Sequence, residues 1–190
     1  SRRAFATGGA CAALAASVGA QAQPAAQLFE KPVYIELFTS QGCSSCPAAD
    51  RLLTQIARQP NVIALTLAVD YWDYLGWKDT FASTGHTARQ KGYSKTIAGS
   101  HVYTPQAVIN GVAQVVGSDL NSLIREAKTA YGKHGALSVP MTVKDVGDKQ
   151  FEIAKADTIG ADSDGWIITL QSYENGKPGV VLAARKSSNI

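Results

Sequence analysis

Cysteine and histidine are scarce in this chain, and their scarcity limits the metal chemistry that it can support. The 190 residues include three cysteines and three histidines. Cys43 and Cys46 form the single C-x-x-C pair, and the sequence has no His-x-x-x-His motif. A structural zinc site needs four such ligands. We therefore expect no zinc site and predict no metal ligand.

The sequence also lacks a large excess of one charge and a long apolar run. Its 18 basic and 15 acidic residues give a net charge of +3, and loss of Arg2 and Arg3 would leave +1. With no basic stripe, nucleic acid is not an expected partner. The apolar stretch from Ala10 to Ala20 is too short and too weakly apolar for a transmembrane helix. We expect no membrane span in the mature chain.

Residues 1–22 have the features of an export signal. A pair of arginines precedes an Ala/Gly-rich stretch, and Ala20-Gln21-Ala22 has the small-x-small pattern that signal peptidase reads. The segment resembles a twin-arginine signal, whereas its glycines disfavour an ordinary N-terminal helix. Cleavage after Ala22 would remove Cys11 and leave the C-x-x-C pair in an oxidising compartment. The predicted location is therefore the periplasm or the exterior.

The C-x-x-C pair lies where a predicted strand meets a predicted helix. The run from Val33 to Phe38 is apolar and predicts a strand, and helical spacing follows Pro47, with apolar residues at Ala49, Leu52, Leu53, Ile56 and Ala57. Unpaired N–H groups and the helix dipole at a helix start favour a thiolate. This context indicates a redox-active disulfide. Half of a zinc site and an inert staple are the alternatives, although so short a loop stabilises a fold little.

An aromatic segment follows the next predicted strand. Val62–Val69 is almost continuously apolar, as in a strand buried on both faces of a parallel sheet. Asp70–Trp77 then contains four aromatic and two acidic residues at the carboxyl end of that strand, the edge where α/β sheets keep ligand sites. Either a partly exposed wall of the site or simple core packing explains this segment.

The remaining chain reads as two helices, a hairpin and a β-rich tail. Lys78–Ile97 predicts a polar helix, with Ala82, Ala88 and Tyr93 as inward contacts and His86 at the surface. Tyr103–Ile109 and Val112–Gly117 predict a hairpin around Asn110-Gly111, followed by a helix capped by Ser118 and ending near Tyr131. After a linker at 132–137, strands are predicted at Ser138–Val143, Gln150–Ala154, Gly165–Tyr173 and Gly179–Ala184.

These features resemble the thioredoxin fold. Three segments, residues 36–47, 69–77 and 103–106, more narrowly resemble a secreted bacterial thioredoxin-like family of unassigned function with a Gly-Cys-Ser-Ser-Cys-Pro site. The predicted fold class is α/β, with a mixed central sheet flanked by helices in residues 28–132 and a small all-β appendage in residues 137–190. The family's Gly-Glu-Asn-rich ending is not intact, so we expect a truncated chain or a diverged tail.

The resemblance implies an exported thiol–disulfide oxidoreductase that exchanges electrons with a protein or a small thiol. Cys43 would be the solvent-facing sulfur that reacts first, and Cys46 would resolve the mixed disulfide. Glu36 resembles, with a one-residue offset, the buried acid below the thioredoxin site and would exchange protons with Cys46. The fold implies a cis Thr104-Pro105 peptide facing the disulfide. The predicted substrate-binding residues are Gly42, Thr104, Pro105, Trp72 and Tyr74.

Two other functions stay open from the sequence. A copper-handling module would use Cys43 and Cys46 with His101, although copper carriers usually place three residues between their cysteines. A partner-binding module would use the aromatic segment without turnover. No cofactor is expected beyond the redox-active disulfide, and the sequence does not decide between oxidant, reductant and isomerase.

Overall fold

The structure, a computed structural model, describes residues 27–139, 141–147, 150–154, 159–162 and 165–186. The predicted export signal and its cleavage site lie outside these residues. No helix in the described ranges is long and apolar enough to cross a membrane.

The first strand and helix form as the sequence predicts. Strand β1 is Val33–Thr39, and all seven of its residues are buried. Helix α1 is Cys46–Ile56, with Pro47 in its first turn, where a missing N–H costs nothing. Its buried residues recur at helical spacing, at Cys46, Ala49, Leu53 and Ile56.

Strand β2, Val62–Ala68, pairs parallel to β1, with Val33 opposite Val62 and Thr39 opposite Ala68. It is one of the two edge strands of the central sheet, and five of its seven residues keep some exposure. The prediction that this strand is buried on both faces is therefore wrong. Its apolar composition does not reveal that only one neighbouring strand covers it.

The second helix begins later than predicted. Residues after β2 form a short 3-10 turn, Asp73–Leu75, and helix α2 is Thr84–Thr96. The side chain of Ser83 accepts a hydrogen bond from the Gly85 N–H and so caps this helix. Of the predicted inward contacts, Tyr93 is fully buried and Ala82 is half-buried, whereas Ala88 is exposed.

The predicted hairpin and last helix are present. Strands β3, Gln106–Ile109, and β4, Ala113–Val116, are joined at Asn110 and Gly111, which have φ values of 53° and 70°. Asn-Gly favours such a turn because both residues tolerate positive φ. Helix α3 is Leu120–Ala130, and its cap is Asp119 rather than the predicted Ser118, because the Asp119 carboxylate accepts from the Ser122 N–H.

The central sheet has the strand order β2-β1-β3-β4 and is covered on both faces. Alternate residues of β1 face opposite sides. Val33, Ile35 and Leu37 pack with residues of α1 and α3. On the other face, Phe38 packs with Tyr93 of α2, and Tyr34 packs with Val181 and Ala184 near the C-terminus. The predicted mixed sheet flanked by helices is confirmed.

The C-terminal part is all β in its described residues. Its strands are β5 (Thr142–Gly147), β6 (Gln150–Ala154), β7 (Ile159–Asp162), β8 (Gly165–Glu174) and β9 (Lys177–Lys186). They pair as β5-β6 and β7-β8-β9. The sequence did not predict β7.

Strand β9 packs directly on the central sheet. The Val181 N–H donates to the Asn110 carbonyl over 2.9 Å, and the Val181 carbonyl accepts from the Leu137 N–H over 2.8 Å. A Cβ at Gly111 would lie 2.1 Å from the Gly179 carbonyl oxygen, so only glycine fits this contact. The β strands thus cover one face of the sheet. The proposed division at residues 132–137 stays a prediction.

Candidate functional site

Cys43 and Cys46 form a disulfide in the turn that follows the central strand β1. Their Cα atoms are 5.4 Å apart, and the Cys46 N–H donates to the Cys43 carbonyl over 3.1 Å. Helix α1 begins at Cys46, so Cys43 lies in the turn before the helix and not in its first turn. The turn is set by Ser40, whose carbonyl accepts from the Cys43 N–H and whose hydroxyl accepts from the Gly42 N–H.

Both cysteines are buried. Cys43 is 2% exposed and Cys46 is 0% exposed. The prediction that the Cys43 sulfur faces solvent is therefore wrong. The polar group beside the Cys43 sulfur is the Ser45 hydroxyl, at 3.5 Å.

Trp72 joins the disulfide turn to the Thr104-Pro105 segment. A Cβ at Gly42 would lie 3.1 Å from the Trp72 Cβ, so a glycine lets the two backbones approach closely. The Trp72 indole N–H donates to the Thr104 hydroxyl over 2.8 Å. Its ring is stacked on that of Tyr74, with centroids 6.5 Å apart. Three residues predicted as substrate-binding, Gly42, Trp72 and Thr104, are thus brought together.

Pro105 lies at the same edge of the sheet. The Thr104-Pro105 peptide is cis, and Pro105 is buried. A Cβ at Gly117 would lie 3.5 Å from the Pro105 Cβ and 3.3 Å from the Ala49 Cβ, one helical turn beyond Cys46. Pro105 and the first turn of α1 therefore pack against one glycine.

The aromatic segment after β2 forms an exposed wall beside the disulfide turn. This wall comprises residues 70–81, and four of its large side chains are exposed: Tyr74 at 77%, Leu75 at 56%, Trp77 at 59% and Phe81 at 75%. Of the two interpretations, the partly exposed wall is the one that fits these residues, since Tyr71 and Trp72 are only half-buried. Such a patch of exposed aromatics is typical of an interaction surface.

Asp79, which the sequence did not single out, fixes the wall to the turn. Asp79 is 3% exposed, and its carboxylate accepts from the N–H groups of Gln41, over 2.8 Å, and Phe81, over 2.9 Å. The Trp77 indole N–H donates to the Gln41 side-chain oxygen over 2.9 Å. A carboxylate with several backbone donors can order two loops at once. The bond from Phe81 is local, whereas Gln41 is 38 residues away, so no local sequence signal shows that Asp79 reaches the disulfide turn.

Glu36 does not lie on the side of the sheet that carries α1. It alternates with Ile35 and Leu37, which pack on α1, and so it faces α2 and the C-terminal strands. A one-residue offset in a strand reverses the face of a side chain. The placement contradicts the prediction that Glu36 exchanges protons with Cys46.

The Glu36 carboxylate instead belongs to a buried polar network. It accepts from the Arg89 guanidinium over 2.6 Å and from the Tyr93 hydroxyl over 2.5 Å. Arg89 also donates to Gln171 of β8 over 2.7 Å. Burial is the largest single effect and lowers the pKa of Arg89, but the charge and hydrogen bond of Glu36, together with Tyr93 and Tyr34, outweigh it and raise that pKa above its ordinary value. Burial, and then the charge of Glu36, raise the pKa of the Tyr93 hydroxyl well above its ordinary value.

The copper alternative gains no structural support from the described residues. The His101 ring packs on Tyr103, with centroids 4.9 Å apart, and His101 is exposed. Within the described ranges, no three His, Cys, Asp or Glu side chains are grouped so that they could hold a metal ion.

The chain is similar to a solved structure and to a protein family. An X-ray crystal structure of a protein from Agrobacterium tumefaciens, a structural genomics target, aligns with a TM-score of 0.71 and 28% sequence identity. The alignment covers 87% of this chain and 95% of that chain. No curated protein matches the chain. The model of a family described as "Protein of unknown function (DUF1223)" matches residues 34–186, a span that includes the disulfide, the aromatic wall and the C-terminal strands, so the chain belongs to the DUF1223 family.

Proposed function

We propose that this chain is an exported thiol–disulfide oxidoreductase with a thioredoxin-like fold. The observation that carries the proposal is the Cys43–Cys46 disulfide at the carboxyl end of the central strand, joined to the Thr104-Pro105 segment by Trp72. Ligand sites of α/β sheets lie at this edge. An inert staple would need neither the proline segment nor an exposed aromatic wall beside it.

The proposed reaction exchanges one disulfide for another. A thiolate of a substrate dithiol attacks the Cys43 sulfur, the Cys43–Cys46 bond breaks, and Cys46 leaves as a thiolate. The second substrate thiolate then attacks the substrate sulfur of the mixed disulfide and releases Cys43. The substrate loses two electrons and gains a disulfide, while the chain gains the two electrons and two protons as a dithiol. The reverse sequence reduces a substrate disulfide.

Stabilisation of the Cys43 thiolate rests on neutral donors in this proposal. The first turn of α1 has no acidic residue to oppose a thiolate, and the Ser45 hydroxyl lies 3.5 Å from the sulfur. The first turn of α1 also supplies N–H groups that have no helical partner. Neither Ser44 nor Ser45 brings a positive charge, so the proposed stabilisation comes from these donors.

The substrate of the proposed enzyme is a polypeptide with a reactive cysteine pair. The exposed side chains of Tyr74, Leu75, Trp77 and Phe81 offer far more apolar contact than a small thiol needs. Because Cys43 is 2% exposed, reaction requires a movement of the segments around the turn. The Trp72 segment is the proposed moving part, and the periplasm or the exterior is the proposed location.

The equilibrium reduction potential of the Cys43/Cys46 pair tests the proposal. The mature chain is equilibrated with glutathione buffers, and free thiols are counted by alkylation and mass spectrometry. A potential near about −270 mV identifies a reductant and one near about −120 mV an oxidant. Cys46→Ser should then trap a mixed disulfide with substrate at Cys43, whereas Cys43→Ser should not. A pair that glutathione cannot reduce at any ratio, with no trapped species, contradicts the proposal.

A further inference from the structure

A groove opens beside the disulfide turn, on the side away from Thr104-Pro105. Its volume is about 630 Å³, and it lies between the carboxyl ends of β1 and β2, the start of α1 and the aromatic wall. It is continuous with the turn, because Ser40 and Gln41 line it and Pro47, which follows Cys46 directly, forms part of its rim. A ligand in this groove would lie next to a reacting disulfide.

Two polar atoms in the groove, the Thr39 hydroxyl and one carboxylate oxygen of Asp50, lie close enough to interact but make no hydrogen bond of ordinary geometry. Thr39 is 5% exposed, and within the described part of the chain its hydroxyl has no well-formed hydrogen bond. The same holds for one carboxylate oxygen of Asp50, which is buried although the residue as a whole is only half-buried. Buried polar atoms are usually paired, and an unpaired one costs free energy. A ligand that pairs with both atoms would recover that cost.

The charges of the groove favour a cation. Asp50 and Asp79 both line it, and no lysine or arginine does so among the described residues. Asp79 already accepts two backbone hydrogen bonds, which leaves Asp50 as the acceptor. His86 also lines the groove, and its Nδ1 donates to the Ala68 carbonyl over 2.8 Å, so that Nε2 is an acceptor in the neutral ring.

The ionisation of Asp50 is sensitive to such a ligand. Burial raises the pKa of Asp50, and the charge of Asp79 adds to that effect, whereas the Thr39 hydroxyl and the Arg51 guanidinium partly oppose it. A cation at this position would favour the charged carboxylate. Arg51 itself is exposed and does not line the groove.

We propose that this groove is a substrate subsite for a primary ammonium group on an aliphatic stem, supplied by a lysine near the reactive cysteine of the substrate. The ammonium group has three N–H donors, and Asp50, Thr39 and His86 offer three acceptors. The aliphatic stem lies against Pro47 and Phe81. A compact ammonium suits a single buried carboxylate oxygen better than the flat fork of arginine. The inference rests on the proposed function of the disulfide.

The test compares peptides that differ in one charge. Disulfide-bonded peptides carry lysine, acetyl-lysine or norleucine at each of the two positions before and after the cysteine. The mature chain should turn over lysine with a kcat/KM about tenfold above acetyl-lysine at one position, the size of one charge-assisted hydrogen bond. Asp50→Asn should reduce that ratio below about twofold, and Glu126→Gln, a half-buried carboxylate on α3, should keep it. A structural role for Asp50 would slow both peptides and leave the ratio unchanged.

A binding experiment separates this inference from the proposed function. Adding n-pentylamine to the oxidised chain should shift the amide NMR signals of Gln41 and Phe81 in a saturable way, and Asp50→Asn should abolish the shifts. Saturable shifts without turnover of any peptide refute the oxidoreductase but keep the cation site. Turnover without a preference for lysine at any position refutes the subsite, and amine shifts in that case assign the groove to a free amine instead of a substrate side chain.

Discussion

Replacing Glu36 by glutamine tests whether this buried carboxylate serves the fold or the disulfide. Glu36 is 1% exposed and pairs with Arg89, whose side chain is 21% exposed. The substitution keeps the shape of the side chain and its capacity to accept from Tyr93, but it removes the charge. Arg89 then keeps a positive charge in a mostly buried position without its carboxylate.

The size of the effect follows from this burial. Removing one member of a buried ion pair costs about 3–5 kcal/mol, because the other charge stays unpaired. Arg89 reaches some solvent and also donates to Gln171 over 2.7 Å and to Tyr93 over 2.9 Å, so we expect a loss at or below the low end, about 2–3 kcal/mol. For a chain of this size, that loss lowers Tm by about 4–12 °C.

Urea unfolding and thiol alkylation give separate readings of stability and of chemistry. Glu36→Gln should lower the urea midpoint, while the pKa of Cys43 in the reduced chain and its rate of disulfide exchange should equal those of the wild type. Glu126→Gln, whose carboxylate pairs with Arg125 near the surface, should change stability by less than about 0.5 kcal/mol. A shifted thiol pKa or a slower exchange in a folded Glu36→Gln chain would refute the assignment of Glu36 to the fold.

Three further predictions concern other contacts of the site and the sheet. Trp72→Ala should speed reduction of the disulfide by dithiothreitol about fivefold or more, the equivalent of one lost hydrogen bond. Thr104→Val, which removes only the acceptor of that bond, should speed the reduction less. An unchanged rate in Trp72→Ala would mean that Trp72 does not restrict access to the disulfide. Asp50→Asn should stabilise the chain at pH 7 by less than about 1 kcal/mol. Burial raises the pKa of Asp50 in the folded chain, so the stability of the wild type falls as the pH rises above 3.8. Urea unfolding at several pH values should therefore show that the stability gain of Asp50→Asn vanishes below pH 3.8. Gly111→Ala should lower the free energy of unfolding in urea by more than about 2 kcal/mol, because a backbone carbonyl of β9 blocks the added Cβ. Gly132→Ala, at nearly the same φ but in open space, should lower it by about 1 kcal/mol. Equal losses would contradict the packing argument.

Local patterns predict those parts of the fold that depend on neighbouring residues. The apolar run before Gly42 predicts β1, the helical spacing after Pro47 predicts α1, and Asn110-Gly111 predicts the hairpin. Each of these features is decided within one strand or one helical turn. The C-x-x-C disulfide is also a local feature, because a separation of three residues keeps its Cα atoms within 5.4 Å.

Long-range packing decides what the sequence does not predict. The face occupied by Glu36 depends on an alternation that a shift of one residue reverses. No local pattern predicts that Cys43 is 2% exposed, and β2 is an edge strand because of the sheet order. Asp50 lies one helical turn after Cys46, a spacing that places them on one side of α1, yet only the fold reveals the groove beside it.

The contact between β9 and the β3–β4 turn has a consequence for proteolysis. A protease that cuts after the exposed Lys133 severs the peptide but leaves the hydrogen bonds of Val181 to Asn110 and of Thr96 to Pro178 in place. The two fragments should therefore comigrate under native conditions and separate only in denaturant. A nicked molecule would keep its disulfide turn assembled, because the C-terminal strands hold on to the part of the chain that carries Cys43 and Cys46.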